Sequence, residues 1–124
     1  MNKQNPSVNA LKKASKGLML PSESDAPFEV VAWDEAGELD PGKMLQLAKQ
    51  PKGTAVEESS LNDLFATVPS EDKPKFQSLR QVIQEELSGV KVYKVGDEPE
   101  RQVFIIGRRK DGKLAGLKAT VVET

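Results

Sequence analysis

Two continuously apolar segments in the last quarter of the chain constrain its fold most. Strands with one solvent-facing side alternate apolar and polar side chains. This alternation is missing from Val103 to Ile106 and from the pair Val121-Val122. A strand that is apolar on both sides needs cover on both faces of its sheet. The sequence therefore predicts an α+β fold in which a mostly antiparallel sheet carries helices on both faces.

Helical periodicity and capping residues predict four helices, and β-branched runs predict five strands. The helices are predicted from Ser7 as a cap to Gly17 as the stop, from Asp40 to before Pro51, from Ser60 through Phe65, and from near Ser70 through Leu87, with Gly89 as the stop. The strands are predicted at 28–33, 54–58, 90–95, 101–106 and 114–122, with a hairpin turn at Asp111-Gly112.

Length and composition predict one domain over residues 1–124. Of the 124 residues, 37% are hydrophobic and 30% are charged, a globular balance for a chain of single-domain size. The longest apolar run, Val103 to Ile106, is too short to cross a bilayer, and the Leu18 to Leu20 cluster is too short for a signal peptide. We therefore expect a cytoplasmic protein without a membrane partner.

The absence of cysteine and histidine excludes most kinds of catalytic site. The chain has no disulfide, no thiolate nucleophile, no imidazole proton carrier and none of the usual zinc ligand sets. Only carboxylates, hydroxyls, lysines, arginines and Tyr93 remain for chemistry. These absences favour a protein that is not an enzyme and has no cofactor.

The charge distribution points to a protein partner rather than to nucleic acid. The formal net charge is −1, whereas phosphate neutralisation needs a clustered excess of cations. Residues Gly17 to Gly42 contain no lysine or arginine but seven acidic residues: Glu23, Asp25, Glu29, Asp34, Glu35, Glu38 and Asp40. Such a surface is attracted to a basic cleft; the alternative is a solvated acidic loop. The basic residues Arg108, Arg109, Lys110 and Lys113 are interpreted as a charged hairpin tip rather than a phosphate site.

Four further patterns could have a function or a purely structural role. The loop Ser22-Glu23-Ser24-Asp25 matches a cation site weakly, and the pairs Glu57-Glu58 and Glu85-Glu86 are typical of solvated faces rather than of a glycosidase. Trp33 is either an interface anchor or part of the core. The strand ending in Val121-Val122-Glu123-Thr124 would project the oxygens of Glu123 and Thr124 as donors suited to Mg²⁺ or Mn²⁺.

The chain resembles the nuclease A inhibitor family in its first and last segments. The similarity covers Leu11 to Trp33, which includes the letters SESDAPFEV, and Lys75 to Thr124, which closes with LAGLKATVVET. The resemblance implies a three-layer α/β/α sandwich similar to that of plant pathogenesis-related class 1 proteins. It also implies a partner, a sugar-non-specific DNA/RNA endonuclease with a ββα-metal active site, that the bacterial host cell would be protected from.

The same resemblance implies which residues contact that partner. Glu23 matches the glutamate of the family's SES loop, and Thr124 matches the C-terminal threonine that reaches towards the nuclease's metal ion. Ser22, Ser24, Asp25 and Glu123 complete the expected contact surface. The family's Trp-containing acidic insertion before the letters KFQ is missing, which removes one aromatic anchor. The alternative function is an interaction module with a different, non-nuclease partner.

Overall fold

The computed structural model describes residues 6–20, 26–97 and 99–122. Within these ranges the chain forms four α-helices, one 3₁₀ turn at Ser70–Asp72 and seven strands. The helices are α1 (Pro6–Ser15), α2 (Pro41–Leu47), α3 (Leu61–Ala66) and α4 (Lys73–Glu86). The strands are β1 (Met19–Leu20), β2 (Ala26–Pro27), β3 (Glu29–Ala36), β4 (Val56–Ser59), β5 (Ser88–Val95), β6 (Glu100–Arg108) and β7 (Lys113–Val122).

Five of the strands form one antiparallel sheet in the order β3-β7-β6-β5-β4. The strand β7 lies between β3 and β6, although β3 precedes it in sequence by most of the chain. The short strands β1 and β2 pair separately, also antiparallel. The expected antiparallel sheet is thus confirmed.

Alternate side chains of β6 enter two different cores. Val103 and Ile105 pack with α1, α3 and α4 on one face, whereas Phe104 and Ile106 pack with α2 on the other. Because both faces are covered, the apolar run does not alternate with polar residues. The predicted helix–sheet–helix layering is therefore confirmed.

Both predicted caps of the short middle helices are present. The Asp40 carboxylate accepts a hydrogen bond from the Lys43 backbone N–H at 2.7 Å, and the Ser60 hydroxyl accepts one from the Asp63 N–H at 3.2 Å. Each bond satisfies a backbone donor that the first helical turn leaves without a partner inside the helix. These caps fix where α2 and α3 begin.

Two predicted boundary residues have other roles. Helix α1 begins at Pro6, so that Ser7 is a buried helical residue and not the cap; proline is favoured in a first turn because its missing N–H costs nothing there. Gly89 does not end α4, because Leu87 already adopts an extended conformation and β5 begins at Ser88. Gly89 instead has φ +60° at an irregularity in the pairing of β5 with β6.

Candidate partner-binding site

The residues that the sequence proposes as the contact surface lie outside the described residues. They are Ser22, Glu23, Ser24, Asp25, Glu123 and Thr124. What the structure does place is the chain on either side of them, namely β1 and β2 around the first segment and the end of β7 before the second. The geometry of these flanking residues decides which end of the molecule each segment leaves from.

The first segment is bounded by a closed antiparallel ladder. Leu20 pairs with Ala26 and Met19 pairs with Pro27, so residues 21–25 connect the two strands of a hairpin. Leu20 and Ala26 are buried, at 3% and 2% exposure, in the core under α1 and α4. Because apolar packing fixes both ends of the segment, the position of its base is set by the core.

The second segment follows a strand that is paired up to its last described residue. Val122 pairs with Glu100 and Val121 pairs with Arg101, so β7 stays in the ladder to residue 122. Val121 is 3% exposed and belongs to the same core as Leu20. The chain therefore enters residue 123 from a rigid element.

The bases of the two segments are neighbours. Leu20 and Val121 line a single small cavity of about 120 Å³, and β2 contacts β7 directly. The register agrees, because Glu29 lies opposite Lys118 and antiparallel strands bring the residues before one next to the residues after the other. The structure thus brings together the flanks of two segments that are about 100 positions apart in sequence.

Charged side chains to which the sequence analysis assigned no binding role lie in this small cavity or on the strands beside it. Lys94 and Asp63 line it, and the Arg101 guanidinium, next to Val121 on the neighbouring strand, bonds the Glu57 carboxylate at 2.9 Å. Glu57 lies on β4 and is solvent-exposed, as its interpretation as part of a solvated pair predicts, and it also pairs with a guanidinium that is only 15% exposed. Only the strand pairing brings these residues together, so no local sequence signal identifies them.

An apolar groove adjoins the other side of the hairpin. It has a volume of about 760 Å³ and lies between the end of α1, strand β1 and strand β3. Leu18, Met19 and Phe28 line it, and Met19 is exposed at 49%. The hairpin base therefore separates a charged cavity from an apolar surface.

Some carboxylates of the acidic stretch between Gly17 and Gly42 have basic partners from other parts of the chain. Lys113 from the far end of the chain pairs with Asp34, and Lys43 pairs with Glu35 at 2.6 Å. The hydrogen bond and charge of Lys113 hold the pKa of Asp34 below its usual range. Together with the cap formed by Asp40, these contacts correct the expectation of an uncompensated acidic surface: counter-charges come from outside the stretch.

The structure supports the interpretation of Arg109 and Lys113 as part of a charged hairpin tip. Arg109 pairs with Asp111 at 3.1 Å, and Asp111 also accepts from the Lys113 backbone N–H at 3.0 Å across the turn. This backbone hydrogen bond is the main reason that the pKa of Asp111 is lowered. Arg109 and Lys113 therefore help to hold the turn and the end of β3, whereas Arg108 contacts the Gly37 carbonyl.

Of the two interpretations of Trp33, interface anchor or part of the core, the structure supports the second. Its ring lies 6.5 Å from that of Phe104 and packs on the α2 side of the sheet. Such a tilted contact is within the range of favourable aromatic pairs. Trp33 is therefore not available as a fully exposed anchor.

The acidic side chains of the described residues form no metal-binding cluster, and the single tyrosine is buried. Among them, no group of three or more acidic side chains is placed to hold a metal ion. Tyr93 is buried, and that burial raises its pKa to about 12. No helix among the described residues is long and apolar enough to cross a membrane.

The comparison with protein families shows to which family the chain belongs. The model of the nuclease A inhibitor-like protein family matches residues 5–124, nearly the whole chain. The chain belongs to the nuclease A inhibitor-like family. The match of the nuclease A inhibitor-like family includes the middle region of the chain, between the two segments that carry the resemblance. Among curated proteins, none matches the chain.

Proposed function

We propose that this protein inhibits a sugar-non-specific DNA/RNA endonuclease of the ββα-metal type by covering its active site. The observation that carries the proposal is the shared base of the two predicted contact segments, seen in the common cavity of Leu20 and Val121. Membership of an inhibitor family supports the kind of partner. We place the inhibitor in the cytoplasm of the cell that makes the nuclease.

The proposed mechanism is mimicry of the scissile phosphate. In it the Glu23 carboxylate enters the basic cleft, and the oxygens of Thr124 approach the nuclease's metal ion, with Ser22, Ser24, Asp25 and Glu123 around them. Carboxylate and hydroxyl oxygens are the ligands that hard metal ions prefer. The inhibitor itself needs no cofactor, because the metal belongs to the enzyme.

Rigid flanks favour tight binding by this mechanism. The residue before the loop and the strand before the terminus are both buried in one core. Segments whose ends are already fixed lose less conformational entropy on binding than free ones. The exposed Met19 beside the hairpin adds apolar surface that the same partner would cover.

The decisive experiment titrates the untagged protein into a ββα-metal nuclease that degrades DNA in excess Mg²⁺. We expect loss of cleavage that saturates near one inhibitor per enzyme. Replacing Glu23 with Ala should raise the inhibition constant at least about tenfold, because truncating a desolvated charged contact costs about 2 kcal/mol or more. A peptide extension after Thr124 should do the same.

Glu85→Ala is the matched control for that substitution. Glu85 is exposed near the end of α4, which leads into β5. The first residue of β5, Ser88, pairs with Arg108 at one end of β6, whereas Val122 pairs with Glu100 at the other end. The Glu85→Ala substitution removes one carboxylate, as Glu23→Ala does, but changes no residue of the hairpin or of the end of β7. Equal effects of the two substitutions would contradict the proposed contact surface, and undiminished cleavage at large excess would assign the domain to a different protein partner.

A further inference from the structure

A further cavity lies at the end of the sheet opposite to the bases of the proposed contact segments. Its volume is about 320 Å³, which is the lower end of the range for small-molecule sites. It is lined by the start of β5, the end of β6 and the loop before α2, which contribute Ser88, Gly89, Lys91, Gly107, Arg108 and Glu38. Nothing in the proposed inhibition uses these residues.

A break in strand pairing shapes the floor of this cavity. Ser88 pairs with Arg108 and Lys91 pairs with Ile106, so two residues of β5 face the single Gly107 of β6. Gly89 supplies the positive φ of +60°, and a Cβ on Gly107 would lie 2.9 Å from the Leu87 Cβ. Bulges of this kind redirect side chains and occur frequently beside functional sites.

Two cations reach the cavity with their charge uncompensated by a carboxylate. The Lys91 Nζ donates to the Leu39 carbonyl at 3.1 Å, and the Arg108 Nε and Nη2 both donate to the Gly37 carbonyl, at 3.3 and 3.1 Å. Neither residue takes part in an ion pair in the described part of the chain, unlike Lys43, Arg101, Arg109 and Lys113. Carbonyl contacts orient the two side chains but leave their positive charge and most of their N–H donors available.

We propose that this cavity binds a small phosphate-bearing anion between Lys91 and Arg108. The remaining Nη donors of the Arg108 guanidinium and the compact charge of the Lys91 ammonium form a combination that suits the oxygens of phosphate. Glu38 is the carboxylate among the lining residues and opposes the anion, so it sets an upper limit on affinity. Both inorganic phosphate and a phosphate monoester carry the chemistry that the cavity recognises.

Amide NMR of the full chain tests this site, with inorganic phosphate and ribose 5-phosphate as separate probes at constant ionic strength. We expect saturable shifts of the Gly89, Lys91 and Gly107 amides, with the tighter-binding probe identifying the source. Lys91→Met and Arg108→Met should each weaken binding at least about tenfold. Glu38→Gln should strengthen it several-fold, because the opposing charge is removed.

Lys13→Met, which removes an exposed lysine of α1, is the control and should leave the titration unchanged. Shifts that do not saturate, or that persist at full strength in both Lys91→Met and Arg108→Met, would overturn the site. A retained amide spectrum shows that each variant is folded. Nuclease inhibition by Lys91→Met should remain unchanged, so failure of this proposal and failure of the proposed inhibition are distinguishable.

Discussion

Tyr93 is the single tyrosine of the chain and is fully buried against the α2 side of the sheet. Burial is the main cause that raises its pKa to about 12, and the charges of Glu58 and Asp40 add to it. An ordinary tyrosine has a pKa of about 10. Because the folded pKa is the higher one, the neutral phenol contributes stability below about pH 10 that is lost as the pH rises towards 12.

Replacing Tyr93 with Phe should therefore make the protein less sensitive to alkali. We expect the free energy of unfolding to fall less between about pH 8 and pH 11 in the variant than in the parent protein, because no buried phenol ionises. Urea unfolding followed by the fluorescence of Trp33, the single tryptophan, measures this. An equal fall in both proteins would show that Tyr93 ionisation does not limit alkaline stability.

At the scale of the element, the pairing of β6 with β7 depends on the absence of one side chain. Gly116 pairs with Ile106, and a Cβ on Gly116 would overlap the backbone carbonyl of Ile105. A backbone neighbour in a central strand cannot move aside as a flexible side chain does. Gly116 is thus required for the close packing of the two strands and has no role in a turn.

Gly116→Ala should lower the free energy of unfolding by about 3 kcal/mol or more, because the ladder must separate to admit the methyl group. Gly112→Ala provides the comparison: its φ is +87°, but no atom lies within 4 Å of the new methyl group. Its cost should be about 1–2 kcal/mol, the usual penalty of a left-handed conformation. Denaturant titration of both variants checks the order, and a smaller cost at Gly116 would contradict this account.

Local signals predicted the elements better than their ends. The caps Asp40 and Ser60 were predictable because capping bonds join residues three apart. The role of Gly89 was not, since a positive φ suits both a helix stop and a strand bulge, and only pairing with β6 decides between them. The layers followed from apolar runs, whereas the bounds of β6 and β7 extend beyond those runs into the charged hairpin.

The same limit applies to the candidate site. A hydroxyl–acid loop and an acidic terminus are visible in the sequence, but their common base depends on the register of β3 with β7 and on the core beneath it. The pair of Arg101 with Glu57 joins residues 44 positions apart and has no local signature. Sequence therefore indicates candidate contact residues, and the strand order supplies their proximity.

At the scale of the whole molecule, the net charge of −1 is too small to drive association by itself. The proposed contact segments concentrate acidic groups, while Asp34 and Glu35 are offset by lysines. Association with a basic cleft should therefore depend on a local field rather than on total charge.

We expect the association rate with a ββα-metal nuclease to fall several-fold between about 50 and 500 mM salt, because the Debye length shortens to a few ångströms. The dissociation rate should change much less, since buried contacts are weakly screened. Stopped-flow mixing over a salt series measures both rates. The Glu85→Ala variant, which has the same net charge as Glu23→Ala, serves as the reference. A salt dependence confined to dissociation would contradict electrostatic steering.

The place of β7 inside the sheet has a consequence for the newly made chain. The ribosome completes β3 about 80 residues before β7. Because Glu29 of β3 pairs with Lys118 of β7, β3 has no partner on that side until β7 is made. At synthesis rates of about 5–20 residues per second, β3 spends several seconds on the ribosome without its neighbour. A chain released before β7 is complete would leave β3 and β6 unjoined and expose apolar surface to chaperones and proteases. Prematurely terminated products should therefore be recognised by cellular quality control and should not accumulate.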